Sequence, residues 1–171
     1  KEGLKIFGPR KNAAILEFSK SFSKQFCARH NIPTAPFKVF TTTEGAKIHL
    51  TDQNHYPAVI KADGLAAGKG VVIAKDQAEA FLAVEEMIIR EKFGEAGKQI
   101  IIEDFMPGVE ATLMIATDGR DYVLFESCQD HKRIGDGDTG PNTGGMGAYS
   151  PAPVVTPEVQ KKVEERIIRP L

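Results

Sequence analysis

The stretch "VIKADGLAAGKGVVIA", Val59 to Ala74, constrains the fold of this chain more than any other. Two short apolar runs flank a loop rich in glycine and lysine, the composition of a phosphate cradle. The flanks decide which kind of cradle it is. A P-loop, GxxxxGK[ST], requires glycine at position 63 and Ser or Thr at position 70, where the chain has Asp63 and Gly70. A dinucleotide fingerprint through Gly68 and Gly70 requires glycine or alanine at position 73, which is Ile73. Both motifs also need a helix straight after the loop, because its N-terminus holds the phosphate. Here the β-branched run "VVIA" follows, so the unit is strand–loop–strand. Gly64, Gly68 and Gly70 allow backbone N–H groups to converge on an oxyanion. Lys69 puts a charge at the tip, and Lys61, at the end of a strand, directs a second ammonium under the loop. Taken alone, the same residues also describe an ordinary glycine-rich hairpin with solvated lysines.

Composition narrows the class. The chain has 171 residues, 42% hydrophobic and 26% charged, which is globular rather than disordered or fibrous. That length holds one ordinary domain or two small lobes. The net charge of -1 gives no bulk attraction to nucleic acid or anionic membrane, so an anion site has to be built locally. No apolar run approaches the roughly 20 residues of a membrane span, and no signal peptide opens the chain. Cys27 and Cys128 form no CxxC pair and read as two reduced thiols of a cytoplasmic protein. The chain opens at Lys1 without Met and stops at "RIIRPL", which reads as a piece of something longer.

Periodicity supplies the elements. Asn12 to His30 reads as one helix with an apolar stripe of Phe18, Phe22 and Phe26, ended by Ile32-Pro33. Val39-Phe40 suggests a short strand, and Thr42 or Thr43 caps a short helix. Asp76 caps the next helix, with Glu79 completing a capping box, Phe81, Val84 and Ile88 on its buried face and Gly94 as its C-terminal cap. "QIIIEDF" is a third strand. "ATLMIA" and "YVLF" form a hairpin around Asp118-Gly119. Gln129 to Pro153 has no clear period and holds six glycines and three prolines, so it reads as a long functional loop. Thr156 caps a last helix, with Pro157 in its first turn and Val159, Val163 and Ile167 on one face.

The wider set of motifs resembles the ATP-grasp domain of the glycinamide ribonucleotide synthetase (phosphoribosylamine–glycine ligase) family. The resemblance runs through "FGP" (Phe7 to Pro9), "SKSFSKQF" (Ser19 to Phe26), "IPTA" (Ile32 to Ala35), "KADGLAAGKGV" (Lys61 to Val71) and "IIEDFMPGVEA" (Ile101 to Ala111). Its most specific part is "QDHKRIGDGDTGPNTGGMGAYSPAP", Gln129 to Pro153. The implied fold is α+β, an ATP-grasp fold with two lobes clasping ATP, lacking the N-terminal domain and the C-terminal part of the grasp core. Residues 1–36 would be the first part of the core lobe, 37–102 the lid with the glycine-rich loop, and 103–171 the rest of a truncated core lobe with the substrate loop.

The resemblance also assigns roles. Lys20 and Lys61 resemble the lysines that hold the nucleotide phosphates, and Asp63, Gly64, Gly68, Lys69 and Gly70 the mobile flap over the triphosphate. Glu103 and the backbone of Asp104, Phe105 and Met106 resemble the hinge that reads adenine, and Glu110 the acid that takes the ribose hydroxyls. From the bare sequence Glu110 reads rather as a hairpin-edge carboxylate. Asp130, His131, Lys132 and Arg133 mix both signs of charge, as a zwitterionic amino acid and a phosphorylated amine require. The Pro141 to Gly147 turn would offer clustered N–H groups, with Asp138, Asn142, Thr143, Gly144, Gly145 and Met146 as further substrate contacts. Asp136 and Asp138 do not make a calcium loop, because Gly140 stands at the third liganding position.

The implied reaction is ATP-driven amide formation through glycyl phosphate, in the cytoplasm, by a monomer that binds neither nucleic acid nor membrane. No nucleophilic side chain is required, and no catalytic residue is singled out. The cofactors implied are ATP and Mg2+ or Mn2+, with the metal-binding carboxylates expected on a later strand and none within this chain. The alternatives are another ATP-grasp carboxylate–amine ligase and a non-catalytic nucleotide-binding fragment.

Overall fold

The computed structural model describes residues 3, 7–66, 70–137 and 139–171, with Pro141 and Asn142 described by their backbone alone. Two compact units are present, Lys1–Met106 and Pro107–Leu171.

The first unit is built on a four-stranded antiparallel sheet. Its strands are β1 (Phe37–Phe40), β2 (Ala58–Ala62), β3 (Val71–Ala74) and β4 (Ile100–Asp104), in the spatial order β1-β4-β2-β3. The register pairs Val59 with Glu103 and Lys61 with Ile101, and Phe37 with Glu103. Because side chains alternate along a strand, Ala58, Ile60, Ala62, Ile100 and Ile102 face one side. There they pack with Ala46 and Leu50 of α3 (Thr43–Gln53) and with Ala80, Ala83 and Val84 of α4 (Gln77–Val84). Fully burying each Ile or Leu contributes about 1.5–3 kcal/mol. The alternate set, Val59, Lys61, Ile101 and Glu103, faces the other side.

The predicted N-terminal caps are in place. Thr42 accepts from Gly45 N at 3.3 Å at the start of α3, and Asp76 accepts from Glu79 N at 2.9 Å at the start of α4. Glu79 reaches back to Lys75 N at 2.9 Å.

Several expectations are corrected. The single helix over residues 12–30 is two, α1 (Ile15–Phe18) and α2 (Lys20–Arg29), because Ser19 is extended (φ -120, ψ 113). Its side chain caps α2 by accepting from Phe22 N at 3.1 Å. The phenylalanine stripe is thereby interrupted, and Phe18 is 59% exposed. Gly94 does not cap α4. That helix continues through a wider turn at Glu85–Ile89, and the first left-handed residue after it is Glu91 (φ 47).

In the second unit, β5 (Ile115–Thr117) and β6 (Tyr122–Leu124) form the expected hairpin. Its loop is held by Asp118 Oδ1, which accepts from Arg120 N and Asp121 N, both at 2.9 Å. Those bonds hold the Asp118 carboxyl below its usual pKa. The segment from Gln129 is no structureless loop. It is a second antiparallel hairpin of β7 (Gln129–Gly135) and β8 (Thr139–Tyr149), with irregular register between His131 and Gly135. Its glycines and broken apolar pattern hide it, since no face of a two-stranded ribbon is continuously buried. Pro141 to Gly147, expected as a turn, runs within β8. The last helix, α5 (Pro157–Val163), is capped by Thr156 at 3.4 Å from Val159 N, and Val159 and Ile167 of its apolar face are more than a third exposed.

Candidate functional site

On the polar face of the four-stranded sheet, Glu103 is 6% exposed, and its Oε2 receives two ammonium groups. Lys61, its diagonal neighbour on β2, donates at 3.0 Å. Lys24, from α2, lies at 3.1 Å. A carboxylate this deeply buried is tolerated only when paired. The sequence reading paired Lys61 with Lys20 and missed Lys24. The signal was available, since Lys24 follows Lys20 by one helical turn and shares its face. What could not be read was the strand register that brings Glu103 beneath it. Lys24 also donates to Thr34 Oγ1 at 2.6 Å and Ala35 O at 3.0 Å, and lies 5.4 Å from the Phe37 ring centroid.

The root of the glycine-rich loop is tied to the start of α2. Asp63 Oδ1 accepts from Ser21 N at 2.6 Å, and its Oδ2 from Ser21 Oγ at 3.0 Å, Gln99 Nε2 at 3.0 Å and Ser19 Oγ at 3.1 Å. Its carbonyl accepts from Lys20 N at 3.1 Å. Lys20 Nζ donates to Gly64 O at 2.9 Å, which places this ammonium at the loop's first glycine. Ser19, Ser21 and Gln99 were not singled out from sequence, and nothing local marks them. At Gly64 a Cβ would stand 2.8 Å from Ala96 Cβ, and at Gly70 one would stand 2.6 Å from Ala66 Cβ. Both glycines therefore permit close packing at the base of the loop. Gly68 and Lys69 lie outside the described residues.

Beyond β4, the Asp104 N–H is donated to Pro36 O at 3.1 Å. Phe105 and Met106 follow with 36% and 66% exposure. These residues, with Lys20, Lys61 and Glu103, belong to the first unit.

The remaining predicted contacts belong to the second unit. The Glu110 and Asp130 carboxylates both lie 3.5 Å from Lys132 Nζ. The His131 ring lies 5.3 Å from that of Tyr149, whose hydroxyl donates to Gln129. Thr143 Oγ1 donates to Lys132 O at 2.8 Å and accepts from Gly145 N at 3.0 Å, bridging the two strands. Arg133 stands beside these groups on β7, where its backbone pairs with Asn142. Gly144, Gly145 and Met146 are exposed along β8. Asp138 and the Asn142 side chain lie outside the described residues. Among the described residues no three His, Cys, Asp or Glu side chains are grouped to hold a metal ion. No helix there is long and apolar enough to cross a membrane.

Comparison with known proteins gives this geometry a context. Residues 18–171 match the family described as phosphoribosylglycinamide synthetase, ATP-grasp (A) domain. The chain is 56% identical over 168 residues to a phosphoribosylamine–glycine ligase of Escherichia coli, covering 98% of this chain and 39% of that protein. It is 54% identical over 170 residues to the chloroplastic ligase of the same name from Arabidopsis thaliana, covering 99% and 32%. The chain thus spans a third to two fifths of the length of these relatives. The crystal structure of a phosphoribosylamine–glycine ligase from Thermotoga maritima superposes with a TM-score of 0.85 at 38% identity, over 99% of this chain and 43% of that one. The biotin carboxylase domain of a Hydrogenobacter thermophilus 2-oxoglutarate carboxylase, solved with MgADP, shares the fold at a TM-score of 0.74 and 18% identity, over 95% and 35%. By the family match over residues 18–171, together with the identity to these ligases over nearly its whole length, the chain belongs to the phosphoribosylglycinamide synthetase ATP-grasp (A) domain family.

Proposed function

We propose that the protein carrying this chain is an ATP-dependent carbon–nitrogen ligase that joins glycine to 5-phosphoribosylamine, giving glycinamide ribonucleotide, ADP and phosphate in purine biosynthesis. The observation that carries this reading is the identity of 54–56% to ligases of that name over nearly the whole chain. The cationic face of the sheet supports it. Lys20 and Lys61 would grip the ATP phosphates from different elements, which gives a polyanion two independent charge-assisted contacts. Because the Asp104 N–H is engaged by Pro36, adenine would be read by the backbone after it, at Phe105 and Met106, with Glu110 taking the ribose hydroxyls. Asp63, Gly64, Gly68, Lys69 and Gly70 would form the flap, with Asp63 as its fixed root.

In the reaction a glycine carboxylate oxygen attacks the γ-phosphorus and ADP leaves. The amine of phosphoribosylamine then attacks the acyl carbon, phosphate departs, and the amine loses a proton. The chain's contribution is positioning and neutralisation of the developing negative charge. Asp130, His131, Lys132, Arg133, Asp138, Asn142, Thr143, Gly144, Gly145 and Met146 would line the substrates' hairpin, with cations toward carboxylate and phosphate. A divalent ion would neutralise the phosphates. The described residues offer no group of three or more His, Cys, Asp or Glu side chains to hold it. Residues 37–102 would act as the lid, and the reaction would take place in the cytoplasm.

The test is product formation from glycine, phosphoribosylamine and ATP by the intact protein, with bicarbonate as the competing acceptor. Glycinamide ribonucleotide is the expected product, and its absence in a folded, nucleotide-binding protein would count against this ligase. Lys61→Ala should weaken nucleotide binding by about 1.5–3 kcal/mol, the worth of a charged hydrogen bond. Unchanged affinity by calorimetry would remove Lys61 from the phosphate site.

A further inference from the structure

Two ammonium groups share the single buried carboxylate of Glu103, yet their surroundings differ. Lys24 is 12% exposed, donates hydrogen bonds to Thr34 Oγ1 and Ala35 O, and is ion-paired with Glu103 Oε2 at 3.1 Å. Two of the three donors of this ammonium are thus held by the protein and its charge faces Glu103, so Lys24 is the less available of the two lysines to a ligand. Lys61 is 27% exposed, and its bond to Glu103 Oε2 can be exchanged for an anion's oxygen. Such an exchange withdraws one cation from Glu103. The carboxylate stays paired only because Lys24 remains beside it. Without Lys24, every turn of Lys61 toward a phosphate would strand a buried, unpaired charge, which is strongly unfavourable.

We infer that Lys24 is a positioning residue: it neutralises Glu103 so that the Lys61 ammonium is free to engage the nucleotide's phosphates. The inference rests on the nucleotide reading of Lys61 proposed above. Its signature is an effect on phosphate affinity from a residue that does not touch phosphate, and that effect disappears when Glu103 carries no charge.

The experiment is calorimetric titration of the intact protein with MgATP and, separately, with adenosine, which has no phosphate. Lys24→Met should weaken MgATP binding about tenfold or more, the equivalent of a lost charged contact, and leave adenosine affinity unchanged. Lys24→Arg, which keeps the charge, should recover most of the loss. Adding Lys24→Met to Lys61→Met should cost nothing further, because no ammonium remains to be freed. Adding it to Glu103→Gln should likewise leave MgATP affinity at the Glu103→Gln level. That pair carries no unpaired buried charge, so it reports even if Lys24→Met alone fails to fold. Wild-type MgATP affinity in Lys24→Met, alongside a loss in Lys61→Met, overturns the inference and leaves the nucleotide reading standing. Equal losses of MgATP and adenosine in Lys24→Met, or a further loss in the Glu103→Gln background, also overturn it and assign Lys24 a merely structural role. Unchanged MgATP affinity in Lys61→Met overturns the nucleotide reading, and the inference with it.

Discussion

Single residues decide how the loop is anchored. Asp63 stands in the motif that suggested a phosphate cradle, yet its carboxylate is fully engaged by Ser19, Ser21 and Gln99. Its own N–H donates to Ala96 O and Gln99 O, both at 3.0 Å. The residue therefore fixes the root of the glycine-rich loop. Asp63→Ala would leave Ser21 N–H and the Gln99 amide without their acceptor. A loss of about 1–3 kcal/mol of stability is expected from such unsatisfied groups, measured as the urea midpoint at constant slope. An unchanged midpoint would mean that water replaces the carboxylate without cost. None of these partners lies near Asp63 in sequence, so the motif named the position but not its bonds.

At the scale of elements, the outcome follows how local the signal is. Caps at Thr42, Asp76 and Thr156 act over three residues and were legible. The break at Ser19 was not, because the phenylalanine spacing continues through it and the cause is a bond to Asp63 on another element. The β7–β8 hairpin was hidden for a different reason: its glycine-rich strands bury too little to show a period of two. A pH effect belongs to the pairing of α3 with β1. His49 of α3 stacks on Phe40 at 5.2 Å between ring centroids and sits 3.5 Å from Lys38 Nζ. Burial first, then the Lys38 charge, lower its pKa below 6.5, against smaller opposing pulls from Asp104 and Asp52. A base whose folded pKa is depressed favours the fold in its neutral form. Its contribution is therefore complete above the unfolded value of 6.5 and is lost as pH falls from there through the folded value. The urea midpoint should fall more steeply on acidification in the parent protein than in His49→Gln. Parallel curves would show that the imidazole is solvated in both states.

Across the whole molecule, the buried apolar side chains are unevenly shared. Ile60, Ile100, Ile101, Ile102, Leu50 and Met87 lie in the first unit, whereas in the second, among the described residues, Ala152 is the buried apolar side chain. Protection against amide exchange follows core burial, and two-stranded ribbons are marginal by themselves. Hydrogen exchange followed by mass spectrometry should find β2 and β4 slowest and β7–β8 fastest. Comparable protection in β7–β8 would mean that the hairpin is covered in the intact protein.

The sequence by itself determined the strand–loop–strand unit, the helix caps at Thr42, Asp76 and Thr156 and the family, because all three are written in spacing and short motifs. It brought Lys61 forward through its place at the end of the strand under the loop, and Lys20 and Glu103 through resemblance. Only the tertiary structure decided that Glu103 is buried, that Lys24 shares it with Lys61, and that Asp63 holds the root of the glycine-rich loop. These follow from the register of β2 against β4 and the seat of α2, which bring charges together across long stretches of chain. Periodicity reports which face of an element is apolar; it does not report which distant charge lies opposite.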